Sequence, residues 1–409
     1  AWPSEEHHSA RPCRKSPLYD TLKADGAVFG EKLGWERPNW FADVKAGEVQ
    51  EDIYTFQRPN WHAAVGREHR ACRESVVIFD QTSFAKFALK GPDAESALSW
   101  IATNDVAKPV GSLIYTQMLN DRGGIETDLT VVRKARDEYY IVTGTGFATH
   151  DFDWIARNIP AGANAQLFDI TSGNAVLSLM GPKARDVLQA VTRADVSNAA
   201  FPFGTAQTIG IAGCPVLAMR VTYVGELGWE LHFPVEYATA VHAALLEAGA
   251  PFGIRNAGYR AIETLRLEKG YRAWGSDIGP DHSPLHAGLG WAVKLRSGVD
   301  FLGREALLAQ KAKPLPKLFA GFLVDDPAIV LLGRETIYRN GKRCGWLSSA
   351  GFGFTLGKNI GYGYVRDPEG VDADYVMSGD YQLEIATELV PATPFLKPPY
   401  DPAMARIKA

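Results

Sequence analysis

An α+β chain, made of two related units followed by an all-β domain, is predicted by three observations: a duplicated strand–Gly-Pro–helix phrase, a second duplicated pattern of strand, turn, strand and helix, and a change to β-like alternation from about residue 317. The first phrase reads FAKFALKGPDAESAL at 84–98 and AVLSLMGPKARDVL at 175–188. A Pro in the first helical turn is favourable, because its missing N–H would be unpaired there anyway and its fixed φ suits a helix start. The second pattern follows each copy. YTQMLNDRGGIETDLTVVRKARDEYYIVTG runs into a helix at Phe147–Ile159, and TIGIAGCPVLAMRVTYVGELGWELHFP into one at Val235–Ala248. A pair of such units creates a cleft at its junction, a common place for a small-molecule site, so the site should draw on both copies. Residues 257–310 hold a helix, AIETLRLEKG, a Gly-rich connection and GLGWAVKL. Beyond them LFAGFLV alternates, Asn340-Gly341 marks a hairpin, and CGWLSSAGFGFTLGKNIGYGYV continues the β pattern. The expected division is an arm rich in Trp and Pro over 1–70, the duplicated units over 71–310 and the β domain over 311–409.

With 409 residues, 46% of them hydrophobic, the chain exceeds one compact domain. A net charge of −4 lacks the clustered Lys and Arg that nucleic acid or an anionic membrane demands. Four scattered cysteines form no CxxC pair, which argues against zinc and disulfides and for a reducing compartment: the cytoplasm, or the mitochondrial matrix in a eukaryote. No apolar run is long enough to span a bilayer, and the polar start without Met suggests a chain that begins inside a longer polypeptide. The arm contains ERPNW at 36–40 and QRPNW at 57–61, whose tryptophans are expected to pack it onto the body or to meet a ligand.

Few residues stand out chemically. Asp128, after the Gly-Gly of GGIETDLTV, could stabilise a cationic amine or take its proton beside Tyr115, although Asp near such a turn commonly serves the turn itself. Glu226 and Glu230 share a face of a period-2 strand, and that face is solvated or functional. The histidines show no metal-binding frame and are expected to be structural or solvated; no P-loop, nucleophile elbow or early GxGxxG is present.

These same stretches carry a family resemblance. RGGIETDLTV, TYVGELGWEL, ETLRLEKGYRAWGSDIGPDHSPLHAGLGWAV, DFLGREAL and RNGKRCGWLSSAGFGFTLGKNIGYGYV resemble, in order, the glycine-cleavage T-protein family. VFGEKLGWERPNWF and REHRACRESVVIFDQTSFAKF are similar to its dimethylglycine and sarcosine dehydrogenase branch. The resemblance implies a cloverleaf of two related α+β domains and a β-barrel-like domain around a central tetrahydrofolate channel. It places Asp128 by the reactive N5/N10 end as the catalytic residue and Glu230 on the pterin edge, where a carboxylate accepts two parallel N–H groups. It places Tyr115, Tyr140, Val142, Phe203, Tyr223 and Trp291 around the pterin and aminobenzoyl rings, with Phe84 where the T-protein has Met. The family helix ARDSLRLEAG supplies a folate-contacting Arg that is Ile262 here, and Arg260, a half-turn earlier, is expected to reach instead.

The implied activity is capture of formaldehyde, or of an iminium carbon released by N-demethylation, as 5,10-methylene-tetrahydrofolate. The donor would come from a demethylating or oxidoreductase domain, fused upstream or separate, as in trimethylamine N-oxide demethylase, and FAD would not be bound by this chain. Two rivals share the fold: a methyltransferase giving 5-methyl-tetrahydrofolate, like dimethylsulfoniopropionate demethylase, and a non-enzymatic assembly factor of the iron-sulfur maturation branch. That branch carries a KGC signature, whereas Lys269-Gly270 is followed here by Tyr271.

Overall fold

Gly91 and Gly181 show the duplication at the level of single bonds. Each ends a strand (Ala85–Lys90, Asn174–Met180) and leads to a helix (Ala94–Ile101, Ala184–Val191), with φ of +136° and +131°. A Cβ at Gly91 would lie 2.2 Å from the Asn164 carbonyl oxygen and one at Gly181 2.3 Å from that of Ser75, so both turns require glycine. The prolines that follow precede the N-cap residues Asp93 and Lys183, slightly ahead of the expected first helical turn.

The computed structural model describes residues 2–409. The first unit's sheet runs Leu113–Leu119, Ile125–Ala135, Glu138–Thr143, Ala85–Lys90, Gln166–Asp169. The second repeats the same order with Ala206–Ile211, Cys214–Met219, Gly228–Pro234 and Asn174–Met180, then adds Val77–Asp80 and Arg255–Ala257. Val77–Asp80 thus precedes the first unit in sequence but belongs to the second unit's sheet, which ties the two together. Ile125–Ala135 alternates buried and part-exposed positions for most of its length, as a strand with one core face should. Asn174–Met180 is almost wholly buried, as befits a strand in the middle of its sheet.

The third lobe is a closed six-stranded barrel in the order Lys317–Val324, Lys358–Arg366, Lys342–Gly353, Thr336–Arg339, Tyr381–Ile385, Glu388–Phe395. Asn340 and Gly341 both have positive φ and close the expected hairpin. The α+β class with a C-terminal barrel is therefore as the sequence predicts.

One helix, Tyr259–Lys269, links the lobes and stops at Gly270 in the left-handed region. Its last turns are buried and charged, and each charge has a partner. Arg266 meets Asp277 at 2.8 Å and Lys269 meets Asp401 at 2.8 Å. Glu268 accepts from the Thr355 backbone at 2.7 Å and pairs with Arg73 at 3.1 Å. Removing one member of such a pair would strand a charge away from water.

The N-terminal stretch contains regular structure of its own. Ala27–Lys32 and Trp35–Phe41 form an antiparallel hairpin, so ERPNW is a strand, whereas QRPNW is a loop leading into the helix His62–Glu74. The two phrases fold differently. Trp40 is buried and donates its indole N–H to Asp52 at 2.8 Å. Buried Glu68 clamps the hairpin to the body, one oxygen accepting from Phe41 N at 2.7 Å and the other from Gly258 N at 2.8 Å. Among the described residues no helix is long and apolar enough to cross a membrane, and no group of three or more His, Cys, Asp or Glu is placed to hold a metal.

Candidate functional site

Antiparallel pairing builds the first half of the site. The hairpin that turns at Asn120–Gly124 sets Gln117 directly opposite Asp128, and the Gln117 amide donates to Asp128 Oδ1 at 2.8 Å. Burial pushes the Asp128 carboxyl up to about 6; the Gln117 amide and the Tyr115 hydroxyl oppose that, Asp151 adds like-charge repulsion, and Arg272 pulls it down. Tyr115 lies beside it, its hydroxyl held well above its ordinary pKa by burial and by the Asp128 charge. Tyr115, Asp128 and Tyr223 lie deep in the protein, yet each keeps some accessible surface.

The second unit contributes Glu230 from strand Gly228–Pro234. It is only 8% exposed, and among the described residues no side chain donates a hydrogen bond to its carboxylate; its nearest basic neighbour is His232 Nε2 at 3.6 Å. His232 is buried, which lowers its pKa, and its Nδ1 meets the Tyr140 hydroxyl at 3.0 Å, linking the second unit's strand to the first unit's. A buried carboxylate without a donor is costly unless something else supplies one. Tyr140 and Val142 pack with Phe84 in one apolar cluster. Phe84 also meets Tyr259, ring centroids 6.4 Å apart, and Tyr259 and Tyr223 each pack against a second apolar cluster. Tyr223 donates to the Arg272 carbonyl at 2.9 Å.

At the outer end Trp291 stacks on Tyr115 at 5.7 Å and 27°, yet is 71% exposed. An indole fixed against a tyrosine but open to water is a ready surface for a second flat ring. Phe203 is exposed on the loop whose Gly204 carbonyl accepts from Leu113 N, two residues before Tyr115.

Two expectations change. Arg260 does not join this group: its guanidinium forms a two-pronged pair with Asp52 at 2.6 and 2.9 Å and lies 3.7 Å over the Trp61 ring, so it fastens the N-terminal segment. Glu226 precedes the strand rather than sharing a face with Glu230, and it is buried rather than solvated, held by Arg73, Arg406 and the Tyr400 hydroxyl. Among the histidines His282 and His286 pack beside Lys317 and Arg366, and burial lowers both to about 4.

Sequence reasoning passed over Gln117, His232, Arg272 and Tyr259. Gln117 was readable from the hairpin register once the Gly-Gly turn was assigned, and His232 from its spacing of two from Glu230 on one strand face. Arg272 donates to the carbonyls of Ala287 and Gly270 and faces Asp128 only through tertiary folding, for which no local signal exists.

The GCVT N-terminal domain family matches residues 18–297 and the glycine cleavage T-protein C-terminal barrel domain matches 317–401. Human mitochondrial sarcosine dehydrogenase is 41% identical over 445 residues, covering 100% of this chain and 48% of that protein, so the chain spans about half the length of such relatives. An aminomethyltransferase of Symbiobacterium thermophilum is 32% identical over 394 residues, covering 95% of this chain and 98% of that one. The crystal structure of the glycine cleavage system aminomethyltransferase T from Bartonella henselae superposes with a TM-score of 0.79 at 26% identity, over 94% of this chain and 98% of that one. With both domains matched in order and a full-length aminomethyltransferase aligned end to end, the chain belongs to the glycine-cleavage T-protein family of tetrahydrofolate-dependent one-carbon transferases.

Proposed function

We propose that the chain binds tetrahydrofolate between its two related units and condenses a one-carbon unit at the oxidation level of formaldehyde to give 5,10-methylene-tetrahydrofolate, with loss of water from formaldehyde or of the demethylated amine from an iminium. The observation that carries the reading is Glu230: a carboxylate buried beside aromatic walls, to which no side chain among the described residues donates a hydrogen bond. The residues fit the ligand. A pterin presents adjacent N–H donors that one carboxylate accepts in parallel. Tyr140, Val142 and Phe84, with Tyr223 and Tyr259, offer the flat apolar walls such a ring needs. Phe203 and the stacked Tyr115–Trp291 pair suit the aminobenzoyl ring nearer the surface.

Tetrahydrofolate supplies a neutral nitrogen nucleophile for the one-carbon unit. Asp128 then has the central role: a carboxylate fixed by the Gln117 amide at 2.8 Å, close enough to stabilise positive charge as it develops and to take the proton released. Its pKa near 6 leaves it largely ionised at neutral pH while keeping it basic enough to accept that proton. Arg272 and Asp151 set this balance from opposite sides. The donor is an N-methyl amine oxidised by a partner domain, fused upstream or separate; the alignment to half of a longer dehydrogenase supports that arrangement. Mass spectrometry of the product formed from formaldehyde and tetrahydrofolate tests the reaction. A methylene adduct formed faster than in buffer, and slowed in Asp128→Asn while the folate still binds, supports it. An unaltered rate in Asp128→Asn would rule out the role of this carboxylate.

A further inference from the structure

The N-terminal hairpin brings a part-buried cation, Arg37, to this site, and its Nε has no acceptor among the described residues. Arg37 lies on strand Trp35–Phe41, and the Glu68 clamp on Phe41 and Gly258 presses that strand against the start of helix Tyr259–Lys269. The fit is tight: a Cβ on Gly258 would lie 2.2 Å from the Asn39 backbone. The Arg37 guanidinium stacks 4.1 Å from the Tyr259 ring centre. Its Nε is buried without a hydrogen-bond partner, and among the described residues no carboxylate pairs with it. Tyr259 in turn touches Phe84, and its hydroxyl meets Ser83 Oγ at 3.3 Å. The charges of Arg37, Asp80 and Glu230 all act on that hydroxyl. The helix offers no competing cation on this face, because Ile262, one turn on, is apolar and Arg260 is committed to Asp52.

A buried guanidinium N–H without an acceptor is costly unless a ligand oxygen completes it. We propose that Arg37 is a ligand-binding residue: it donates to the ring carbonyl oxygen that neighbours the N–H donors taken by Glu230. The two side chains, from different parts of the chain, then grip complementary atoms of one heterocycle edge, acceptor against donor and donor against acceptor. The N-terminal hairpin is thereby part of the binding site rather than a strap outside it. This inference rests on the folate reading above.

The test is calorimetric titration of the full chain with two probes, tetrahydrofolate and 6-methyl-tetrahydropterin, which carries the ring edge but no aminobenzoyl-glutamate tail. Arg37→Gln should weaken both by about tenfold or more, the usual loss for a charge-assisted hydrogen bond, with an unchanged melting temperature. Arg37→Lys, which keeps a donor and the charge, should recover part of the affinity. Equal loss in both variants would mean that packing on Tyr259 is what matters, and would overturn the proposal. Weakening confined to tetrahydrofolate would move the contact to the tail and overturn the ring assignment. Binding abolished by Glu230→Gln but untouched by Arg37→Gln would overturn this inference alone. Failure of the unsubstituted chain to bind either probe would overturn the folate reading with it.

Discussion

Glu268→Gln tests how the three lobes are held together. The Glu268 carboxylate receives the Thr355 backbone N–H at 2.7 Å, the Arg73 guanidinium at 3.1 Å and His69 Nε2 at 3.2 Å, and so joins the linking helix to the helix His62–Glu74 and to the barrel. Burial alone would raise its pKa; the His69 hydrogen bond and the Arg73 guanidinium outweigh burial and hold it at about 2 instead of 4.5, while burial lowers His69 itself, which therefore acts at neutral pH as a hydrogen-bond partner and not as a cation. At ~1.4 kcal/mol per pH unit, that difference corresponds to about 3 kcal/mol of stability from the ionised form. The sign follows from a folded-state value below the unfolded one. The contribution is complete above pH 4.5 and is lost as the pH falls through 4.5 towards 2. Chemical unfolding of the original chain and Glu268→Gln should therefore differ by about 3 kcal/mol at pH 7. The gap should narrow below pH 4.5 and close near pH 2. A difference that persists undiminished at pH 3, or none at pH 7, would refute this account of the junction.

Because burial raises the Asp128 carboxyl to about 6, the condensation rate should climb as the pH rises through about 6 and level off above it, where the group is ionised. Asp128→Asn should remove that inflection and lower the rate about 100-fold with little change in folate affinity. Trp291→Ala, which removes an exposed indole stacked on Tyr115, should leave the melting temperature unaltered yet weaken tetrahydrofolate about three- to tenfold by calorimetry. Gly181→Ala forces a side chain into a left-handed turn and against the Ser75 carbonyl, and should destabilise the chain by about 2 kcal/mol or more in denaturant unfolding.

Much of this architecture was legible because it is written in local patterns. The two Gly-Pro phrases, the strand alternation after Gly124 and the Asn340-Gly341 turn each follow from backbone sterics and the period of a strand, so neighbouring residues suffice to read them. Asp128 and Glu230 were found through motif resemblance, and spacing alone did not separate them from turn or surface carboxylates. Arg260 was placed two residues from the position it replaces, but two residues along a helix is more than half a turn, and Asp52 with Trp61 holds it on another side. Asp52 belongs to a segment more than 200 residues away in the chain, beyond the reach of any local pattern. The same holds for Arg37, which reaches Tyr259 only because Glu68 bridges two backbone amides that are far apart in sequence. Glu226 misled for the opposite reason: its alternation suggested a wet face, while Arg73, Arg406 and Tyr400 arrive from distant parts of the chain to bury it.

The most direct test of the central claim is calorimetric titration of tetrahydrofolate into the chain beside its Glu230→Ala variant. The account predicts micromolar-range or tighter binding by the original chain, weakened at least about tenfold when the unpartnered carboxylate is removed. Equal affinity in the two proteins, or no binding by the original chain, would contradict it.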